Sequence, residues 1–401
     1  MQTTSTASFE ELLSTRARIG FTGRRPTAAG TVQRYDFGGG RPDPVSFPIE
    51  DLTTAFAQMM AEVGRDALTY GEAQGYSALR ELLVDKFQRH DGIEAGPDNF
   101  LITNGSSHAL SLVISAFVDI GDPVICEAPT FSGTLVTLRR HGPDLIGIPI
   151  DDEGMRTDVV AERLNDLCRQ GRRAKLIYTI VNFQNPAGPT MSLRRRQELL
   201  RLAAEHQVVI LEDDAYGELR WEGEPLPSLY KLDQSGLVAR AGTISKILGA
   251  GTRIGWILAP TAMIPHFQGF KFDGGTNPLV SRLVTYYLRG HMDEHIEDLI
   301  SVYHSKRDAM IETLAETLGD TDAVWSRPEG GFFIWMKLPT GGEAKRVVEL
   351  ASKEQVTVVP GMSFMPNGGG EDHIRLAFSY ASVDDIREGV RRLSRAIKAS
   401  L

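Results

Sequence analysis

The sequence predicts an α/β protein: a mostly parallel sheet of seven strands in a large unit, followed by a smaller α+β unit. Three observations carry this reading. From about residue 100, short apolar runs alternate with amphipathic stretches, the pattern of strands and helices layered in one core. The runs are brief and bounded by turn residues, as strands buried on both faces are. After about residue 290 the alternation gives way to a long helical stretch and a few short strand-like runs.

The elements follow in order. Residues 1 to 35 read as an irregular arm with one short helix. The Gly/Pro-rich "FGGGRPDPVSFP" reads as a loop, and helices are expected around Ile49–Val63 and Tyr76–His90. The strand runs are "NFLITN", "PVICEAP", "DLIGIPI", "KLIYTIV", "VVILEDD", "LVARAGTI" and "RIGWILAP". The stretches between them, such as Ser192–His206, repeat their apolar residues about every 3.6 positions. Beyond residue 290 come a long helix, then "GGFFIWMKLP", "VTVVPG" and "HIRLAFS". The expected division is an arm at 1–35, a large unit at 36–290 whose first residues join the smaller one, and a smaller unit at 291–401. There is no internal repeat and no low-complexity tract.

Bulk properties narrow the function. The net charge of −9 argues against a reader of nucleic-acid backbones. Two cysteines, Cys126 and Cys168, are too few for a disulfide framework and lack metal-ligand spacing. They fit a reducing cytoplasm, and no metal site is expected. The start "MQTTSTASFEELL" lacks the basic and apolar regions of a signal peptide. No apolar run approaches the roughly 20 residues of a spanning helix. The expectation is a cytoplasmic protein with no membrane or nucleic-acid partner.

In parallel sheets ligands bind beyond the carboxyl ends of the strands, and the polar residues there repay attention. Gly105-Ser106-Ser107 joins a strand to a helix; it is either an anion site at a helix start or a plain helix cap. Phe131 follows the strand end in "CEAPTFSG" and is either a plate for a planar ring or a core residue. Asn182 and Asn185 in "IVNFQNPAGPT" mark a turn and offer amides. Glu212, Asp213 and Asp214 crowd one strand end, with Tyr216 close behind. Three adjacent carboxylates repel unless something positive faces them. In "AGTISKILGAGTRIGW", Lys246 sits among Thr243, Ser245 and Arg253. A cation site beside it disfavours the charged amine, and a neutral amine attacks aldehydes. Anion holders, an aromatic plate, an acid, a phenol and a tuned lysine together fit pyridoxal 5'-phosphate.

With these motifs the sequence resembles the fold-type I, class I/II aminotransferases that use pyridoxal 5'-phosphate, and is most similar to the branch with 2-aminoadipate and kynurenine aminotransferases. The resemblance runs from "GGGRPDP" through "LTYGEAQGYSALR", "NGSSHAL", "EAPTFSG", "NFQNPAG", "EDDAYGEL", "SKILGAGTRIGW" and "PEGGFFIWMKLP" to "HIRLAFS". It implies the type I transferase fold and transfer of an α-amino group from an L-amino acid to a 2-oxo acid. Lys246 is then the Schiff-base lysine and proton shuttle. Asp213 pairs with the pyridinium nitrogen, and Tyr216 and Asn185 bond the ring hydroxyl. Phe131 stacks on the ring. Ser106, Ser107, Thr243, Ser245 and Arg253 hold the phosphate, and Tyr70 reaches the phosphate of the neighbouring subunit of a homodimer. Arg375 clamps the substrate carboxylate with Asn185 and the Gly40 backbone.

Two positions depart from the family, which often has Tyr in place of Phe131 and Gln in place of Ser107. "FKFDGGTNPLVS" is richer in glycine than the family leads one to expect. Arg16, Arg18, Arg24 and Arg25 in the arm are candidates to read a distal carboxylate, or form a solvated or inter-subunit face. C–S lyase, decarboxylating and oxidase chemistries share the fold. So do cofactor-sensing regulators, which carry a DNA-binding module in front, where here only about 35 residues are expected.

Overall fold

A computed structural model of the chain describes residues 9–20 and 33–401. Its large sheet is built from β2 (Phe100–Thr103), β3 (Pro123–Ala128), β4 (Asp144–Asp151), β5 (Gly154–Met155), β6 (Leu176–Thr179), β7 (Val209–Asp214), β8 (Val238–Thr243) and β9 (Gly255–Leu258). The order is β2-β9-β8-β7-β6-β3-β4-β5. All seven apolar runs are strands of this sheet. The eighth strand, β5, is a two-residue antiparallel return from β4, too short to leave an apolar run. The core pairs β4-β3-β6-β7-β8 are parallel, and β9 runs against both neighbours.

Alternate residues of each central strand feed opposite faces, as the two-residue strand period requires. Cys126, Tyr178 and Leu211 pack beneath Leu110, Val113 and Ile114 of the helix Ser106–Phe117. Ile125, Ile177 and Ile210 pack against Val160 and Leu164 of Thr157–Arg169 and Leu199 and Leu202 of Leu193–His206. Both faces are therefore covered, which is why the runs read as continuously apolar.

A second sheet has the order β10 (Val324–Trp325), β11 (Phe333–Lys337), β14 (His373–Ala377), β13 (Val359–Pro360), with all pairs antiparallel. Near it, β1 (Tyr35–Asp36) pairs in parallel with β12 (Val356–Thr357). The early chain thus returns to the late one, and the Phe37 carbonyl accepts from Ala377 N.

The two early helices are Ile49–Ala67, which runs past the expected end with a kink at Val63, and Ser77–Asp91. The long helix spans Pro278–Leu318, starting well before residue 290. Its start signal is Asn277, whose side chain accepts from Val280 N, followed by proline in the first turn; Gly290 inside it does not interrupt it. Several side chains of this helix tie it to distant parts of the chain. His295 Nε2 lies 2.7 Å from the Ile247 carbonyl. Lys306 Nζ pairs with Asp43 at 2.9 Å, and Arg307 Nη1 donates to the Pro328 carbonyl. Among the described residues no helix is long and apolar enough to cross a membrane.

In the arm, the helix Thr15–Gly20 follows a single 3₁₀ turn. Arg18 is committed locally, to the Leu13 and Glu11 carbonyls. Arg24 and Arg25 lie outside the described residues, as does the side chain of Arg16.

Candidate active site

The carboxyl ends of the central strands open onto a cavity of about 230 Å³. It is lined by Gly40, Ser106, Ser107, Phe131, Asn185, Asp213, Tyr216, Ser245, Lys246, Arg253 and Arg375, all expected from the sequence. Two expected residues do not line it. Thr243 is buried just behind, its Oγ1 2.8 Å from Ser245 Oγ and 2.9 Å from the Ile254 carbonyl. Tyr70 is 92% exposed and lies beside Gly274, where an added Cβ would sit 2.8 Å from the tyrosine ring. The sequence missed Ser132, Ile180, Ala215, Ala250 and Phe333 in the lining.

The acidic triplet is divided by strand alternation. Glu212 turns away and accepts the backbone N–H groups of Leu229 and Tyr230 at 2.9 and 3.0 Å. Asp214 pairs with Arg240 and accepts from Asn182 and Gly217 N. Burial pushes the Asp214 carboxyl up, but Arg240 outweighs this and holds it below its usual value. Asn182 thus serves this structural pair, accepting also from Arg196 at 2.7 Å.

Asp213 alone joins the cavity. Its Oδ2 accepts from Tyr178 OH at 2.7 Å, and Tyr178 OH in turn accepts from Thr134 at 2.9 Å. Its Oδ1 is buried with no partner. Burial raises its pKa to about 6, opposed by the Tyr178 hydrogen bond and by Lys246. Tyr178 was legible only as a polar tip inside the apolar run "LIYTIV".

Lys246 Nζ donates to the Gly40 carbonyl at 2.8 Å. Its pKa falls to about 8, first through burial, then through Arg375, with Asp213 opposing and Arg253 adding a little. The sequence expectation of a depressed amine holds, although burial contributes more than the neighbouring cations.

At the other end, Gly105 precedes the helix Ser106–Phe117 with φ 77°, and no side chain caps that helix start. Neither serine is therefore a cap, and both sit in the first turn, where N–H groups are free for an anion. The glycines are required by close approach: a Cβ at Gly255 would lie 2.6 Å from the Gly105 backbone, and one at Gly105 would lie 2.8 Å from Arg253 Nη2. Arg253 donates to the Asn104 carbonyl at 3.0 Å.

Arg375 lies on β14 between β11 and β13, an interior strand, and is 6% exposed. Nη1 donates to Asn185 Oδ1 at 3.0 Å and Nη2 to the Gly38 carbonyl at 2.5 Å, while Nε is buried without a partner. Phe333 and Phe364 flank the guanidinium at 4.2 and 4.7 Å. Tyr216 meets Phe332 and Phe333 edge-on, and burial raises its hydroxyl well above the ordinary tyrosine value.

A family model described as aminotransferase class I and II matches residues 35–393. The chain belongs to the class I and II aminotransferases. It is 37% identical over 366 residues to aromatic-amino-acid aminotransferase 1 of Thermococcus litoralis, covering 90% of this chain and 88% of that one. It is 36% identical to the 2-aminoadipate transaminase of Thermus thermophilus, over 91% and 90% of the two chains. The solved kynurenine aminotransferase of Pyrococcus horikoshii, in complex with PMP, superposes with a TM-score of 0.91 at 36% identity, covering 98% of each chain.

The aminotransferase is thus an enzyme of the pyridoxal 5'-phosphate-dependent, fold-type I class, and the cavity fits that cofactor. The unpaired Asp213 Oδ1 is an acceptor that a ring N–H would satisfy. The helix start with Ser106, Ser107, Ser245 and Arg253 offers donors and positive charge to a phosphate. Lys246 supplies an amine.

Tyr178→Phe tests the Asp213 arrangement. Removing the hydroxyl takes away the bond that favours the ionised carboxylate, so the Asp213 pKa rises further. If cofactor binding needs the carboxylate, its acid limb moves to higher pH by about one unit. Fluorescence titration of cofactor affinity against pH measures this; identical limbs in the two proteins would contradict it.

Proposed function

We propose that this aminotransferase moves the α-amino group of an L-amino acid to 2-oxoglutarate in a ping-pong cycle, with Lys246 as both covalent holder of the cofactor and proton carrier. The observation that carries the reading is a single amine of lowered pKa in a cavity that also holds one carboxylate, Asp213, and two guanidiniums, Arg375 and Arg253. When bound, pyridoxal 5'-phosphate supplies an aldehyde that captures the amino group and a ring that takes up electrons from the α-carbon. Asp213 keeps the ring nitrogen protonated, Tyr216 and Asn185 hold the ring hydroxyl, and Phe131 covers a ring face. Ser106, Ser107, Thr243, Ser245 and Arg253 hold the phosphate, Thr243 by orienting Ser245. Arg375 receives the substrate carboxylate in a forked pair, oriented by Asn185 and bordered by the Gly40 backbone. Lys246 Nζ, as a neutral amine, takes the α-proton and later returns one.

The donor falls, on this reading, among aromatic or long acidic amino acids, the classes named for the relatives. The working form is a homodimer in which Tyr70 reaches the phosphate of the other protomer. Its support is the set of exposed apolar side chains on the two segments that meet at Gly71 and Gly274, with Leu68 at 71%, Phe270 at 57% and Phe272 fully exposed. The fold divides at 36–290 and 291–401 behind an arm at 1–35, and the compartment is the cytoplasm.

A panel of amino donors tests the chemistry. Each is mixed with holoenzyme without an oxo acid and followed by loss of the cofactor's visible absorbance. A ping-pong transaminase stops after one equivalent and resumes when 2-oxoglutarate is added. Continued turnover without an acceptor would instead identify a lyase or oxidase.

A further inference from the structure

Glu127, near the end of β3, is a buried carboxylate that the chemistry above does not use; it is 1% exposed. Its four hydrogen-bond donors are neutral. Thr179 Oγ1 and Ile180 N reach Oε1 at 2.6 and 3.0 Å. Gln184 Nε2 and, at longer range, Thr130 Oγ1 reach Oε2 at 2.8 and 3.4 Å. Fixed N–H donors thus occupy both oxygens, an arrangement that matches a carboxylate anion. Burying such a group away from a cation costs stability, and burial pushes its pKa up to about 7.

The donors stand on two stretches, Thr130 just past Glu127 itself and Thr179 to Gln184 at and beyond the end of β6, and both lead into the cavity. Thr130 precedes Phe131, Thr179 ends β6 just before the lining residue Ile180, and Gln184 precedes Asn185. Gln184 is itself pinned, donating to the Pro129 carbonyl and accepting from Ala187 N. The same cluster touches the arginine from behind, because Thr130 N donates to the carbonyl of Phe364, which packs on Arg375.

We propose that Glu127 is a positioning residue for amino transfer: its carboxylate ties the stretch that carries Phe131 to the stretch that carries Ile180 and Asn185, and so fixes the ring-facing wall and the amide that orients Arg375. This rests on the reading of Asn185 and Arg375 as the substrate carboxylate site. The phosphate-side residues lie on other segments and are not held by it.

The test uses holoenzyme with Glu127→Gln, which keeps the shape but turns a donor toward the Gln184 amide, and Thr179→Val, which removes one donor without changing size. With the best amino donor, kcat/KM is expected to fall about 10²-fold in Glu127→Gln, since a misplacement of about 1 Å has that effect. The fall in Thr179→Val is about tenfold. In both, KM for the amino acid rises and the visible circular dichroism of the bound cofactor weakens, while cofactor affinity stays within a few-fold of the parent. If both variants keep parental circular dichroism and kcat/KM, or if cofactor affinity falls in step with activity, the proposal is overturned. Should Glu127→Gln fail to fold, Thr179→Val alone decides. A parent enzyme that binds cofactor but transfers no amino group would overturn the functional reading, while the circular dichroism comparison would still test Glu127.

Discussion

Lys246→Ala is expected to lower kcat by at least about 10⁴-fold, while pyridoxal 5'-phosphate still binds, now without a covalent bond. The lysine is the cavity's one amine, and its lowered pKa of about 8 leaves an appreciable neutral fraction near neutrality. Alanine removes both the covalent link and the proton carrier. It leaves untouched the helix start, Ser245 and Arg253, which offer most of the phosphate contacts. Raising the pH from 7 to 9 is expected to speed proton removal in the parent, because a depressed lysine is increasingly neutral above its folded pKa. Turnover assays together with borohydride reduction and peptide mapping make the check. A pyridoxyl adduct on any other lysine, or near-normal turnover in the variant, would refute the assignment.

Asp213→Ala is expected to slow the donor half-reaction by about 10³-fold, the scale of losing one partner of a buried charged pair, with a smaller loss in cofactor affinity. The reason lies in the division of labour across the cavity. Asp213 lies near the end of β7, and the residues proposed to hold the phosphate lie at the end of β8, in the loop leading to β9 and at the start of the helix Ser106–Phe117. An indirect route through the lysine does not account for the loss. Asp213 raises the Lys246 pKa, so removing it leaves that amine more neutral and more able to take a proton. The deficit therefore reports the ring's capacity for electrons. Stopped-flow absorbance of the half-reaction, set against equilibrium titration of the cofactor, separates the two. An unchanged half-reaction rate, or an affinity loss equal to the rate loss, would count against this role.

Much of the site was legible because the strand ends concentrate it. Every run from "NFLITN" to "RIGWILAP" forms a strand; burial on both faces leaves a continuous apolar signature in the central ones, whereas β4, toward the sheet's edge, is mostly part-exposed. Lys246, Asp213, Arg375 and Asn185 converge as the motifs led one to expect. What escaped the sequence depends on direction and sheet order. Only the alternation of β7 tells that Asp213 faces the cavity while Glu212 and Asp214 face away. The short β13, which makes the strand of Arg375 an interior one, leaves no run of its own in the sequence. Tyr178 and Glu127 are single polar residues inside apolar strands, and their partners come from segments tens of residues away. The long helix begins before the expected point near residue 290, and its Asn277-Pro278 start signal sits at the end of a glycine-rich loop.

The long helix sets a limit on how the chain can vary. His295 meets the carbonyl next to Lys246, and eleven positions later Lys306 meets Asp43, so two fixed appointments lie on one rod. Inserting or deleting one residue between them would turn the far end by about 100° and slide it about 1.5 Å, breaking one of the two. That span is in effect a ruler, and relatives that keep both contacts can change length only in the loops beyond its ends.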